Sequence, residues 1–209
     1  HEDSTSYGNE GSQAGNATDT GKFSNGQDFD GFNDYISISR DSTLEPSTAI
    51  TVEAWVKWDD HTASEYGALV CKPKTEDTEP YVSYSLEQEQ SQQVVQFTIN
   101  VNGTLQQTAR PTLGLDAWHH LVGTWSSGDY IRLYIDGSEA ETSTSSYSGS
   151  ITYFDMPTTI GINQASAPAS AIDAIIDEVR ISNVAREACW IDTEHGNQGT
   201  PTSFYTVGN

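Results

Sequence analysis

The chain has 209 residues, of which thirty are acidic and nine are basic, so that its formal net charge is −21. A surface of that sign repels nucleic-acid phosphates and anionic membranes, and no apolar run approaches the length of a bilayer span, which argues against nucleic acid as a partner and against direct membrane insertion. The charge suits a secreted or cell-surface protein, either from a saline exterior, where counterions screen the repulsion, or as an ordinary acidic extracellular domain.

The first 26 residues consist mainly of Gly, Ser, Asn, Thr and Asp, with hardly an apolar side chain. This composition predicts irregular backbone over 1–26, with no strand. The segment is also dense in residues that favour turns and carbonyl-lined ion sites, so it is a candidate ion-binding loop. A solvated tail is the alternative.

Strand-period alternation dominates the middle of the chain, and helical periodicity is nearly absent. The segments 49–58 and 94–101 place an apolar residue at every second position, as half-buried strands do. Asn102-Gly103 is a strong signal for a tight hairpin turn, and Asp136-Gly137 is a second one. Further strands are predicted over 34–39, 66–72, 81–87, 158–163 and 174–182.

Two adjacent histidines, His119 and His120, raise the question of a catalytic or metal-binding pair in 118–137. Successive side chains of a strand point to opposite faces, so the two imidazoles cannot share a metal or a substrate. The segment is therefore interpreted as two strands joined by a turn, in which Leu121 and Trp125 share one face.

The exception to the strand pattern is 183–196, which is predicted to form a short helix. Ser182 or Asn183 can cap its start, and Gly196 can end it. An extension follows over 197–209. Three apolar side chains recur in the segment at helical spacing: Val184, Ala188 and Ile191.

Strands at short intervals, hairpin turns and one late helix predict an all-β protein, an antiparallel two-sheet jelly-roll sandwich with one short C-terminal helix. The length and the even composition suit one domain over 1–209. The two cysteines, Cys71 and Cys189, are too few for a disulfide scaffold. They form either one bridge or two buried thiols.

Five segments of the chain occur in an order that resembles one known family. They are "FDGFNDYISI", "AITVEAWVKW", "WHHLVGTW…IRLYIDG", "TTIGIN" and "IDEVRISNVAR". The chain thereby resembles the laminin-G-like (LamG-type) jelly rolls of the concanavalin A-like lectin/glucanase superfamily, from about residue 3 to residue 205. The resemblance implies two curved sheets, export, a first strand before residue 1 and a place in a larger multi-domain surface protein. It also implies glycan or protein binding.

The resemblance implies catalysis only where the glucanase carboxylates are present, as acids at alternate positions of one strand. Glu87 and Glu89 share a face but have no third acid, and Asp177 and Glu178 lie on opposite faces. We therefore expect a protein that is not an enzyme. The alternative is a glycoside hydrolase or lyase with atypical carboxylates.

In LamG-type relatives, an Asp of the N-terminal loop and the Asp of "IDEVR" look like partners in one structural Ca²⁺ site. The loop "DSTSYGNEG" matches that pattern with one extra residue. Asp177 is expected on the core-facing side of its strand with Val179 and Ile181, where an unpaired carboxylate is costly. The alternative is a solvated Asp3 and an Asp177 that accepts backbone N–H bonds. The predicted Ca²⁺ ligands are Asp3, Gly8, Asn9, Gly11 and Asp177.

Ligand binding is expected at aromatic residues near loops or at outward strand positions, and at one arginine. An outward row of tyrosines can stack on sugar faces, although such rows are also cross-strand packing pairs. The expected function is a non-catalytic, lectin-like module that binds a glycan or an extracellular protein. The alternative is a structural spacer or adhesion domain of a large surface assembly, with no small ligand. The candidate ligand-binding residues are Tyr66, Tyr81, Tyr84, Tyr130, Arg132, Tyr134 and Tyr147.

Overall fold

The computed structural model of the chain describes residues 2–59, 66–75, 78–89, 94–108, 111–163 and 171–199. Within these ranges the chain forms fourteen β-strands, one α-helix and a short 3-10 turn at Ser42–Leu44. The strands build two antiparallel seven-stranded sheets, which pack face to face around a shared apolar core. The predicted all-β sandwich with one C-terminal helix is confirmed.

The first sheet, sheet A, contains both early and late parts of the chain. Its strand order is β1 (Gly11–Ala14), β4 (Tyr35–Ile38), β13 (Thr158–Ile160), β6 (Gly67–Pro73), β7 (Val82–Glu89), β8 (Val94–Val101) and β9 (Thr104–Gln107). The second sheet, sheet B, has the order β12 (Ser138–Tyr147), β11 (Asp129–Ile135), β10 (His119–Ser126), β5 (Ala49–Trp58), β14 (Asp173–Ser182), β3 (Asn25–Asp30) and β2 (Ala17–Thr20). Helix α1 spans Ala188–Gly199.

The core lies between the sheets and is built by the residues that alternation assigns to the inner faces. The inward side chains of β5 and β8 have almost no exposed surface. Gly123 of β10 lies directly over Phe97, since a Cβ at that glycine would be 2.2 Å from the ring. The inward residues of β5 and β8 are Ile50, Val52, Ala54, Val56, Trp58, Val95, Phe97, Ile99 and Val101.

Both predicted hairpin turns are present. Asn102 and Gly103 have φ values of 52° and 83°, and Asp136 and Gly137 have φ values of 50° and 82°. Two successive residues with positive φ are the signature of a type I′ turn, whose twist matches that of the flanking strands. These turns join β8 to β9 and β11 to β12.

The prediction of irregular backbone over 1–26 is wrong from residue 11 onward. Strands β1 and β2 and the start of β3 all lie there. β1 is the outermost strand of sheet A and β2 is the outermost strand of sheet B. Such edge strands are held by backbone hydrogen bonds to a single neighbour and bury little side-chain surface, so they need no apolar alternation.

The predicted helix over 183–196 is displaced, because α1 begins at Ala188 and includes Gly196. The residues before it are tied to β5 instead of forming a helical turn. The Thr51 hydroxyl donates to the carbonyl oxygen of Val184 at 2.7 Å and accepts the N–H of Arg186 at 2.9 Å. Residues 200–209 of the predicted extension lie outside the described residues.

Cys71 is buried in β6, whereas Cys189 is exposed at the start of α1, and both are free thiols. The two cysteines therefore do not form a disulfide bridge, and only Cys71 is a buried thiol. In the described part of the chain, no helix is both long enough and apolar enough to cross a membrane.

Candidate functional site

An open cleft of about 580 Å³ lies between the two sheets, beside the N-terminal segment. We call it the N-terminal cleft. Its lining includes four of the five predicted Ca²⁺ ligands, Asp3, Asn9, Gly11 and Asp177, whereas Gly8 is not part of the lining. The fold therefore brings the beginning of the chain and β14 to the same cleft.

Asp3 organises the loop at the mouth of the N-terminal cleft. Its Oδ1 accepts the N–H of Thr5 at 2.8 Å, and its Oδ2 accepts the Thr5 hydroxyl at 2.8 Å and the N–H of Asn9 at 2.9 Å. The backbone N–H groups of Thr5 and then of Asn9 lower the pKa of the Asp3 carboxyl. Asp3 is thus an ionised carboxylate held in one orientation, not a freely solvated side chain.

Asp177 does not share a face with Val179 and Ile181, so that expectation is wrong. Asp177 pairs with Trp55, whereas Arg180 pairs with Glu53. Between these two pairs, β14 therefore has one more residue than β5. The extra residue forms a bulge at Glu178, whose φ is 52°. A bulge of this kind reverses the alternation of side chains beyond it.

The Asp177 carboxylate accepts two backbone hydrogen bonds. Its Oδ2 accepts the N–H of Phe23 at 2.8 Å, and its Oδ1 accepts the N–H of Glu178 at 2.8 Å. Gly21 is next to this carboxylate, since a Cβ at Gly21 would lie 2.6 Å from Asp177 Oδ2. The contacts connect β14 to the turn between β2 and β3.

The donor chemistry of Asp3 and Asp177 fits a hard cation. A carboxylate has roughly four lone-pair positions. Asp3 accepts hydrogen bonds from Thr5, Asn9 and the N–H of Gly8, whereas the described hydrogen bonds occupy two of these positions in Asp177. No group of three or more His, Cys, Asp or Glu side chains among the described residues could hold a metal ion. Further ligands would be carbonyl oxygens and water, which Ca²⁺ accepts and softer metals do not prefer.

Two of the tyrosines predicted to face outward are buried. Tyr84 lies in the core between the sheets, where its hydroxyl donates to the carbonyl oxygen of Leu44, and burial raises its pKa. Tyr134 is on the outer face of sheet B, but it packs there with Val122 and Ile191. Because α1 carries Ile191 over this face, the outward position of Tyr134 is not a surface position.

Tyr130 and Arg132 bring an exposed aromatic ring beside the predicted arginine. Tyr130 is 41% exposed, and the Arg132 guanidinium lies 5.9 Å from the centre of its ring. Asp129 accepts two hydrogen bonds from Arg132, at 2.9 and 3.0 Å, which lower the pKa of Asp129 and raise that of Arg132. We call Asp129, Tyr130 and Arg132 the Tyr130 patch.

Asp129 was not among the predicted site residues. Asp129 lies three residues before Arg132, next to a turn, and carries the opposite charge. This spacing is the sequence signal that could have identified it. Tyr147 pairs with Asp129 across β11 and β12, but its side chain is half-buried against the core. The hydrogen bonds of Asp129 hold the guanidinium beside the exposed ring, so that the patch presents a fixed combination of apolar and charged surface.

The remaining candidates, Tyr66 and Tyr81, lie by sheet A, away from the Tyr130 patch. The Tyr66 hydroxyl donates to Glu89 Oε1 at 3.3 Å, and Tyr81 is an exposed residue just before β7. The seven predicted ligand-binding residues thus do not form one continuous row.

Glu87 and Glu89 lie on one face of β7, as alternation requires, and both are buried. Glu87 Oε1 accepts hydrogen bonds from the Gln96 amide at 2.6 Å and from the Thr98 hydroxyl at 3.0 Å. Glu89 accepts the hydrogen bond from Tyr66. Both carboxylates therefore belong to a polar network across sheet A.

A family model, Laminin_G_3 of the concanavalin A-like lectin/glucanases superfamily, matches residues 29–192. A comparison with curated proteins finds no match.

Solved structures share the fold at low sequence identity. The binding domain of Paraclostridial Mosquitocidal Protein 1 is 12% identical with a TM-score of 0.74, and the comparison covers 94% of this chain and 49% of that one. The botulinum neurotoxin serotype G binding domain is 11% identical with a TM-score of 0.73, covering 95% and 49%. Domain 4 of AbnA, a GH43 extracellular arabinanase from Geobacillus stearothermophilus solved with arabinotriose, is 14% identical with a TM-score of 0.58, covering 86% and 81%. The chain spans about half the length of the two toxin domains.

Proposed function

Because the chain belongs to the concanavalin A-like lectin/glucanase superfamily, we propose that it is a non-catalytic module of a secreted or cell-surface protein that binds a glycan through the Tyr130 patch. The observation that carries the proposal is the exposed Tyr130 ring beside a charged pair held in place by its own hydrogen bonds. An aromatic face can pack on the apolar face of a sugar, while Asp129 and Arg132 offer hydrogen-bond partners to hydroxyl groups. The arabinotriose bound by the domain of AbnA supports a sugar as ligand.

The surroundings of the acidic side chains support a binding role and not a hydrolytic one. A retaining glycosidase needs two carboxyl groups about 5–5.5 Å apart on either side of a bound glycosidic bond. Glu87 and Glu89 are buried; Glu87 accepts hydrogen bonds from Gln96 and Thr98 of β8, and Glu89 accepts one from Tyr66. The strongly negative surface is consistent with an extracellular location, where the protein meets glycans.

The test of glycan binding is Tyr130→Ala on an array of neutral and acidic oligosaccharides that includes arabinan fragments. We expect the wild-type chain to bind a subset of the array, and the variant to bind the same sugars at least about tenfold more weakly, a loss of about 1.4 kcal/mol. Titration calorimetry with the best array ligand measures the change.

The matched control is Phe32→Ala, which removes an aromatic ring that is 67% exposed in the turn between β3 and β4. It should leave the array profile as it is in the wild type. The proposal fails if the wild type retains no glycan, or if Tyr130→Ala and Phe32→Ala have the same effect.

We also propose that Asp3 and Asp177 hold a structural Ca²⁺, together with Asn9 and main-chain carbonyl groups near Gly8 and Gly11. The ion would supply positive charge to a strongly acidic chain and connect the N-terminal loop to β14. The presence of Asp3 and Asp177 in the lining of one cleft and the unused lone pairs of Asp177 support this assignment.

Calcium should raise the melting temperature of the chain, since an ion that binds only the folded state stabilises it. At a concentration one hundred times the dissociation constant the gain is about 2.7 kcal/mol, or about 5–10 °C for a domain of this size. We expect Asp3→Asn to abolish this gain. Scanning calorimetry with added calcium and with a chelator measures the melting temperature in each case. Asp155→Asn is the control, because Asp155 is 88% exposed, bonds to Arg40 and is not part of the cleft lining. An equal calcium response in both variants would contradict the site.

A further inference from the structure

The positive charge of the Tyr130 patch is already paired with carboxylates of the chain itself. Arg132 is the only Lys or Arg in β10, β11 and β12. Its Nη1 and Nη2 donate to the two carboxylate oxygens of Asp129 at 2.9 and 3.0 Å, and its Nε lies 3.5 Å from Glu139 Oε2. A guanidinium recognises an anionic ligand through this same fork of N–H groups. In Arg132 the fork is therefore turned towards Asp129 and Glu139 and not towards a ligand.

The two carboxylates are more exposed than the guanidinium between them. The side chains of Asp129 and Glu139 are 44% and 46% exposed, whereas that of Arg132 is 27% exposed. Two negative charges thus face one positive charge, on a chain whose net charge is −21. A ligand that approaches the Tyr130 ring meets net negative charge, which repels an anionic group.

Hydrogen bonds from neighbouring groups hold both carboxylates in place. Asp129 Oδ1 accepts the N–H of Tyr130 at 2.7 Å, and Glu139 Oε1 accepts the Thr142 hydroxyl at 2.7 Å. The Tyr134 hydroxyl also bonds to Glu139. An ionised carboxylate accepts hydrogen bonds from hydroxyl groups, and such charge-assisted bonds are stronger than neutral ones. The patch therefore offers fixed acceptors beside an aromatic ring, which suits the hydroxyl groups of an uncharged sugar.

We propose that the glycan bound at the Tyr130 patch is neutral, and that Asp129 and Glu139 are the residues that exclude uronic acids, sialic acids and sulfated sugars. This inference rests on the proposed glycan-binding function and adds the class of sugar and the residues that select it. An acidic sugar that paired with Arg132 would place a third anion beside the two carboxylates. Repulsion of this kind gives specificity by weakening the binding of the wrong ligand.

The experiment uses the full chain and pairs of sugars that differ in an acidic group: trigalacturonic acid with its methyl ester, and sialyllactose with lactose. They are placed on the array of neutral and acidic oligosaccharides. We expect the sugars retained by the wild type to be neutral, and the acidic member of a pair to bind at least about tenfold more weakly than the neutral one. Raising the NaCl concentration from about 0.05 to about 0.5 M should change neutral-sugar binding by less than about twofold, because screening does not act on an uncharged ligand.

The double variant Asp129→Asn/Glu139→Gln removes both negative charges and leaves Arg132 free to pair with a ligand. It should bind acidic sugars at least about tenfold more tightly than the wild type does, and added salt should weaken that binding. The matched control, Glu10→Gln/Asp155→Asn, also removes two negative charges. Glu10 precedes β1 and Asp155 bonds to Arg40 after β4, so both lie by sheet A. The control should keep the wild-type preference, and circular dichroism reports whether both variants fold.

The wild type alone can overturn the inference, by binding the acidic member of a pair as tightly as the neutral one or more tightly. An equal gain in acidic-sugar binding by the double variant and its control would also overturn it. If the wild type retains acidic sugars and Tyr130→Ala loses them, glycan binding at the patch stands and only the neutral class is wrong. If the wild type retains no sugar, both proposals fail.

Discussion

Replacing Glu45 with alanine should lower the free energy of unfolding by about 3–5 kcal/mol, because it leaves a buried ammonium group without its counter-charge. The Lys72 side chain is fully buried, and its Nζ lies 3.0 Å from Glu45 Oε1. Its other described partner is the carbonyl oxygen of Met156, at 2.7 Å. A single neutral acceptor does not compensate the desolvation of a full positive charge. Urea denaturation at pH 7 measures the loss.

Two further variants distinguish the buried charge from other causes. Lys72→Met removes the charge together with its need for a partner, so its loss should be much smaller, since apolar replacements of buried ion pairs are often close to neutral. Asp155→Ala removes another partner of Arg40, but Asp155 is 88% exposed, and exposed pairs contribute little. If Glu45→Ala is no more destabilising than Asp155→Ala, the role assigned to the Lys72–Glu45 pair is wrong.

The same pair predicts an acid-sensitive contribution to stability. Burial raises the pKa of Glu45, but the hydrogen bonds from Arg40 and Lys72 outweigh it, so that the pKa in the folded chain is below its ordinary value. A depressed glutamate pKa contributes stability that is present above the unfolded value, about 4.3, and is lost as the pH falls through the folded value. The difference between the wild type and Glu45→Ala should therefore shrink in acid.

The central strands are predictable from sequence because their burial is periodic. In β5, every second residue is an apolar side chain that meets the opposite sheet, and the alternation itself identifies both the strand and its inner face. The turns at Asn102-Gly103 and Asp136-Gly137 are equally local, since the positive φ values that they need are properties of those residues. These features require no knowledge of distant parts of the chain.

The edges and covered faces are not predictable in this way, because they depend on partners far away in sequence. β1 and β2 contain almost no apolar residue and are defined by their backbone pairing with β4 and β3. The start of α1 is set by Thr51, more than a hundred residues earlier. Tyr134 has an outward position in its strand, yet it is buried because α1 covers it.

The candidate site also has features that are predictable from sequence and features that are not. Sequence alone, through the family resemblance, places Asp3 and Asp177 in one region, and both line the N-terminal cleft. The orientation of Asp177 follows from the bulge at Glu178, which the uninterrupted spacing of residues 174–182 does not reveal. Because one inserted residue exchanges the two faces of a strand, an error of one position in register reverses the assignment of every side chain beyond it.

Replacing Trp55 with alanine should loosen α1 and lower the free energy of unfolding by about 3–5 kcal/mol, the range for deleting a large buried aromatic side chain. The indole lies on the outer face of β5, almost completely buried. It stacks on His120 and His195 at ring-centre distances of 5.1 and 5.5 Å, and the Lys22 ammonium lies 4.1 Å from the ring centre. Its N–H donates to Gln198 Oε1 at 2.5 Å.

Two of these contacts, those with His195 and Gln198, come from α1, so the loss should be partly local. Urea denaturation gives the global change, and hydrogen exchange should be accelerated in Ala188–Gly199 more than in β7, which lies in the other sheet. Trp118→Ala is the matched control, because Trp118 is a half-buried tryptophan just before β10. Its loss should be clearly smaller. If Trp55→Ala leaves exchange in α1 unchanged while the whole domain is destabilised, Trp55 supports the sheet alone and the helix is held by other contacts, of which the ion pair between Arg180 and Glu194 is the first to examine.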